Sequence, residues 1–134
     1  MRRLFIGILA VCAAFSYLSC TGEASGEPDF WLGADISWAT EYESRGYKFY
    51  NADGEERECT ELMKELGLNA VRLRVWVDPS AHGGWCSKED LLVKCQRAEK
   101  LGMAILVDFH YSDWWADPAK QNIPASWSGH SYEQ

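Results

Sequence analysis

The stretch Ala104–Pro118, AILVDFHYSDWWADP, decides the fold. Ala104, Ile105, Leu106 and Val107 make a short apolar run containing β-branched residues, which reads as a strand buried on both faces, as in a parallel sheet. Asp108, His110, Tyr111, Asp113, Trp114, Trp115 and Asp117 then crowd within a few residues of its carboxyl end, where parallel α/β folds gather their chemistry. Aromatic faces beside carboxylates and an imidazole suit a sugar, which has apolar C–H faces and a rim of hydroxyls.

Working back from that strand, Ser87 opens a helix with Asp90 three residues on, as in a capping box. Leu91, Leu92, Cys95 and Ala98 supply its apolar face, and Gly102 ends it. Before it, Ala70–Val77, AVRLRVWV, reads as another strand. It is preceded by a helix over Glu55–Leu66, where Cys59, Leu62, Met63 and Leu66 form one apolar stripe stopped by Gly67. Trp31–Ile36, WLGADI, reads as the first strand, with Asp35 and Ser37 on one side of it. Ser37–Gly54 is a long polar and aromatic connection ending in the turn Asn51, Ala52, Asp53, Gly54.

Strand, helix, strand, helix, strand predicts parallel strands joined by helical crossovers. Arg74 and Asp108 occupy equivalent points 34 residues apart, close to the roughly 31 residues per unit of a 250-residue eight-fold barrel. A doubly wound sheet fits the same order, but it calls for a Gly-rich phosphate turn after the first strand, and WLGADIS has none. The expected fold is therefore a (β/α)8 TIM barrel of which about three strands are present.

At 134 residues the chain allows one ordinary domain. Arg2 and Arg3 followed by the apolar Leu4–Leu18 have the layout of a secretory signal, too short to span a membrane comfortably. Leu18, Ser19 and Cys20 resemble a bacterial lipoprotein cleavage site, so residues 1–19 are expected to be a leader and Cys20 the lipid-bearing first residue. Residues 20–29, with TGEASGEPD, have the composition of a flexible tether, and 30–134 form the barrel portion. These features predict an exported lipoprotein of the outer membrane or cell surface. Loss of Arg2 and Arg3 with the leader takes the formal charge from −7 to −9, which disfavours nucleic acid as a partner. Cys59, Cys86 and Cys95 remain in an oxidising setting, either as one pair and a thiol or as three free cysteines.

On Ala70–Val77, Arg72, Arg74 and Trp76 share one face and Val71, Leu73, Val75 and Val77 the other. In a barrel the apolar set meets the helices and the arginine set points inside. Inward arginines are costly without carboxylates. Asp108 and His110 project to the same interior from the next strand and Asp35 from the first, so an interior ion-pair network is expected. Asp108, His110 and Asp113 could also be read as metal ligands, but no second His follows at ligand spacing, and His82 and His130 lie in loops; no metal site is expected. Trp38, Trp76, Trp114, Trp115 and Trp127 are many indoles for so few loop residues, and one or two should present a face to a sugar. Glycoside hydrolysis needs two flanking carboxylates, for which Glu41 and Glu43 are candidates only by default.

Gly33–Ser37 (GADIS), Gly67–Pro79 (GLNAVRLRVWVDP) and Val107–Pro118 (VDFHYSDWWADP), followed by Gln121 and Pro124, resemble the endo-β-1,4-galactanases of glycoside hydrolase family 53. The likeness covers about Trp31 to Trp127. It implies a (β/α)8 barrel, hydrolysis of β-1,4-galactan in type I arabinogalactan and pectin with retention of configuration, and two catalytic glutamates beyond Gln134. It implies that Arg72 helps hold the nucleophile, that His110 lines the subsite next to the cleaved bond, and that Trp115 walls a galactose ring. Asp35 matches the acidic residue of the first-strand block, whereas Trp114 falls at a variable position. Catalysis is expected to need no cofactor, calcium use by later loops is left open, and the protein is expected to be a monomer. A galactan-binding surface lipoprotein without catalysis is the alternative.

Overall fold

The computed structural model describes residues 30–131; the expected leader, Cys20 and the tether lie outside the described residues. The elements run β1 (Gly33–Asp35), α1 (Ala39–Ser44), β2 (Phe49–Tyr50), β3 (Glu56–Arg57), α2 (Cys59–Glu65), β4 (Ala70–Val75), a 3-10 turn (Ser80–His82), α3 (Lys88–Lys100), β5 (Ala104–Phe109) and a second 3-10 turn (Ala125–Trp127). β1, β4 and β5 form a parallel sheet in that order. Asp35 lies opposite Arg72, and Arg74 opposite Asp108.

Both crossover helices end in the same way. At the end of α2, Gly67 N–H donates to Lys64 and Leu68 N–H to Met63; at the end of α3, Gly102 donates to Glu99 and Met103 to Ala98. This pair of bonds requires a left-handed residue at the glycine position, and Gly67 (φ 90°) and Gly102 (φ 62°) supply it. Each glycine reverses the chain so that a parallel strand starts two or three residues later.

Alternation fixes what each side of the sheet meets. Val71, Leu73 and Val75 of β4 pack with Leu91 and Ala98 of α3 in one buried cluster, against which Ile105 and Val107 of β5 also lie. The α3 stripe differs from the expected one. Leu92 is 49% exposed, while Lys94 is fully buried at 0%, because 91, 94 and 98 follow the helical period toward the sheet and position 92 rotates out of it. The Lys94 ammonium donates to Asp90 Oδ2 at 2.7 Å and to the Ser37 carbonyl at 2.6 Å. A buried cation is tolerated when it is paired and hydrogen-bonded in this way. Ser87 caps α3 as expected, its hydroxyl accepting from Asp90 N–H at 3.3 Å. Asp90 does not return the bond to Ser87; its carboxylate takes Cys86 N–H at 2.7 Å and the Thr40 hydroxyl at 2.6 Å.

Four further expectations need correction. The long connection after β1 contains α1 and one strand of a hairpin. ATEYES carries no apolar stripe, and α1 is held instead by burial of Ala39, Thr40 and Glu41. The helix expected from Glu55 begins at Cys59, because Glu56–Arg57 pair antiparallel with Phe49–Tyr50. Asn51 Oδ1 closes that hairpin by accepting from the Asp53 and Glu55 amides at 3.1 and 2.9 Å, and Glu58 caps α2 through the Thr60 and Glu61 amides. Leu66, placed on the α2 stripe, is exposed at the helix end. Finally, β5 is not buried on both faces: Leu106 is 61% exposed, since its side of the sheet has no covering layer among the described residues.

Candidate functional site

The carboxyl ends of β1, β4 and β5 bring Asp35, Arg72, Asp108 and His110 together. Arg72 Nη1 donates to Asp35 Oδ2 at 2.8 Å and Nη2 to Asp108 Oδ2 at 2.5 Å. The same Asp108 oxygen lies 3.1 Å from His110 Nε2. Asp35 Oδ1 accepts from the Ser37 amide at 2.9 Å and the Ser37 hydroxyl at 2.6 Å. Burial alone would raise the Asp35 carboxyl, but the two Ser37 bonds and then Arg72 bring it below the usual carboxylate value. The expected ion-pair network therefore forms around Arg72, which two strands clamp from opposite sides. Just past the end of β5, His110 Nδ1 is buried with no partner among the described residues.

Arg74 departs from that expectation. It is 4% exposed, and no carboxylate among the described residues lies within ion-pair reach. Its guanidinium carbon sits instead 4.1 Å from the ring centroid of Trp115, 4.7 Å from Trp76 and 4.8 Å from Trp38. Three electron-rich ring faces take the place of an anion around the desolvated cation, and Arg74 Nε and Trp76 Nε1 keep no hydrogen-bond partner. Trp115 is 42% exposed, so the indole backed by Arg74 also offers surface to solvent.

The other indoles divide between support and surface. Trp76 is buried, 4.5 Å from Trp114, and His82 stacks on Trp114 at 4.1 Å with an interplanar angle of 21°. Trp127 is exposed and lies 6.1 Å from Tyr111. These two rings, with Asp108, His110, Gln121 and Asn122, border a cavity of about 620 Å³ at the end of β5.

Asp113, weighed with Asp108 and His110 as a ligand set, instead accepts from the Asp78 amide at 3.1 Å and the Ala125 amide at 2.8 Å, tying two loops together. Among the described residues no three His, Cys, Asp or Glu side chains gather as a metal site. Glu43 lies in the helical layer, where both its oxygens accept from Arg97 Nη1 at 2.9 Å and Arg97 also reaches Glu58 at 2.8 Å. Glu41 is buried against Arg45, the residue that follows α1. Neither stands beside Arg72. The three cysteines within the described residues are free, and burial, then Glu58 and Glu43, push the Cys59 thiol up to about 11. The sequence reading names His82 only as a loop histidine and Cys86 only as one of three cysteines, and it does not single out Lys94, whose ammonium is placed by contacts to Ser37 and Asp90.

A parallel sheet with its polar groups and open indole faces gathered at the carboxyl ends of the strands has the arrangement of part of a (β/α) barrel. The chain belongs to glycosyl hydrolase family 53, whose family model matches residues 31–134. It is 40% identical over 111 residues to an endo-beta-1,4-galactanase of Bacillus subtilis (strain 168), covering 78% of this chain and 26% of that protein. It is 35% identical over 128 residues to an arabinogalactan endo-beta-1,4-galactanase of Cellvibrio japonicus, covering 96% and 33%. The GH53 catalytic domain of Ignisphaera aggregans superposes with a TM-score of 0.72 at 41% identity, covering 81% of this chain and 32% of that one. One of two fungal beta-1,4-galactanases gives 0.69 at 37% identity, covering 72% and 29%. The chain thus spans about a quarter to a third of the proteins it matches, and its parallel sheet is part of a (β/α)8 barrel.

Proposed function

We propose that a barrel closed on these strands is an endo-β-1,4-galactanase that cuts galactan in type I arabinogalactan and pectin with retention of configuration. The observation that carries this reading is the Asp35–Arg72–Asp108–His110 cluster beside the open face of Trp115, in a chain of family 53. Retaining hydrolysis needs a nucleophile and an acid/base; in this reading both are glutamates contributed by later strands. Asp35 and Asp108 hold Arg72, Arg72 holds the nucleophile, His110 lines the subsite beside the cleaved bond, and Arg74 backs the Trp115 wall. Export with a lipid on Cys20 is part of the same proposal.

The complete product of the reading frame tests it. Incubation with β-1,4-galactan is expected to release galacto-oligosaccharides, first as the β-anomer by NMR, and Trp115→Ala is expected to lower the rate by about tenfold, as loss of a stacking face would. No cleavage of galactan, or initial α-anomer, rejects the reading. In the same strain, Cys20→Ala should move the protein from the membrane fraction to the medium; an unchanged distribution rejects the anchor.

A further inference from the structure

One carboxylate at the strand ends joins three segments of chain. Asp113, a few residues after β5, accepts from the Asp78 amide at 3.1 Å and, with its other oxygen, from the Ala125 amide at 2.8 Å. The first bond continues the β4–β5 pairing: His110 N–H donates to the Val75 carbonyl and Val77 N–H to the Ser112 carbonyl, and the Asp113 side chain takes the next amide. The second bond brings together the two ends of residues 114–124, as in a compact surface loop. That loop supplies most of the wall of the cavity at the end of β5, through residues 116–118 and 121–124, and leads into the turn that carries Trp127. We propose that Asp113 is a positioning residue, which holds this loop as a preformed wall so that galactan meets an ordered cavity; this rests on the functional reading above.

Three observations carry the assignment. The first is how the loop is supported. Trp114 and Trp115 anchor its first residues against Trp76, but none of residues 116–123 is buried, and Ile123 is 75% exposed. Asp117 and Lys120 exchange amide–carbonyl bonds at the tip, which shapes a turn without fixing it to the sheet. The far end of the loop is held by buried Pro124 and by the bond to Asp113. The second is the chemistry of the acceptor. An ionised carboxylate has two oxygens and answers two amides at once, with charge-assisted bonds, whereas a side-chain amide of the same shape has a single acceptor oxygen. The third is location. The residues between the two bonded ends border the same cavity as Asp108 and His110, and a wall that is not already ordered must be ordered when a ligand binds, at the expense of affinity.

The complete product of the reading frame is assayed on β-1,4-galactan and, in parallel, nicked with trypsin under native conditions. Lys120 is exposed and is the one basic residue within 114–124, and a protease needs an opened segment, so nicking after Lys120 reads the opening of the loop. Asp113→Asn keeps the shape of the side chain and removes one acceptor. It is expected to speed nicking after Lys120 by about tenfold, to raise KM by about fivefold and to leave kcat within about twofold. Ala125→Pro removes the amide donor alone, where proline is tolerated because it opens a turn and follows the extended Pro124 (ψ 140°). It should move nicking and KM in the same direction, so the test stands even if the first variant does not fold. An unchanged nicking rate, faster nicking with KM unchanged, or equally faster cleavage at every trypsin site overturns the inference, the last because it marks global unfolding. Wild-type protein that leaves galactan uncut rejects the functional reading and the role in galactan binding with it, whereas the nicking rates still show whether Asp113 holds the loop.

Discussion

The two sides of the parallel sheet carry one buried cation each and neutralise it in different ways. On the helix-covered side, Lys94 is fully buried and meets a carboxylate and a carbonyl at 2.7 and 2.6 Å. On the inner side, Arg74 is nearly as buried and meets three indole faces, with one of its nitrogens left without a partner. The first arrangement is that of a finished core, where every polar group is answered. The second combines incomplete polar satisfaction with exposed apolar surface, as at Leu106 and Trp115, and sites that must still receive a ligand or further chain have that character. Polar satisfaction is concentrated on one side and open surface on the other.

The largest expected effect comes from breaking the satisfied side. Asp90→Ala would leave the Lys94 ammonium buried without its anion and strip the bonds from Cys86 N–H and the Thr40 hydroxyl. Cys86 holds a left-handed backbone at φ 59° without being glycine, so it loses an anchor where it is strained. A loss of about 3–5 kcal/mol in urea unfolding is expected. A loss below about 1 kcal/mol would show that the pair contributes no more than an exposed one.

A smaller contrast separates the two faces directly. Leu73→Ala, in the core against α3, should cost about 3 kcal/mol in this chain. Leu106→Ala, on the open face, should stay within about 0.5 kcal/mol. Comparable losses at both positions would mean that the inner face is covered in solution.

The smallest effect is an acid one, and it falls on both sides. Burial opposes ionisation of Glu58, but the Thr60 amide and hydroxyl, the Glu61 amide and Arg97 outweigh it and leave the carboxyl below its ordinary 4.5. Asp35 is likewise held below 3.8. A depressed folded value contributes stability that is fully present above the unfolded pKa and is lost as pH falls through the folded one. Unfolding midpoints measured at about pH 6 and about pH 3.5 should therefore fall less for Glu58→Gln than for the wild type. Identical slopes would show that the cap and Arg97 do not set the acid response.

The sequence predicted those parts of the molecule that depend on periodicity. The strand order, the helix ends at Gly67 and Gly102, and the grouping of Asp35, Arg72, Asp108 and His110 all follow from the alternation of a strand or the period of a helix. What escaped depends on contacts between distant segments. ATEYES has no stripe to announce α1, which is buried by its surroundings. Alternation places Arg74 inside the sheet but does not say whether a carboxylate or an indole will meet it. Leu106 was misjudged because an apolar run does not tell which of its faces is covered.

The indole stack has an optical consequence. Trp76 and Trp114 are 4.5 Å apart and tilted by 34°, close enough for their excited states to couple. The near-ultraviolet circular dichroism of the protein thus carries a band tied to the packing of the β4 end against the β5 loop. The indole cluster at the strand ends reports its own assembly to the spectrometer, with no label attached.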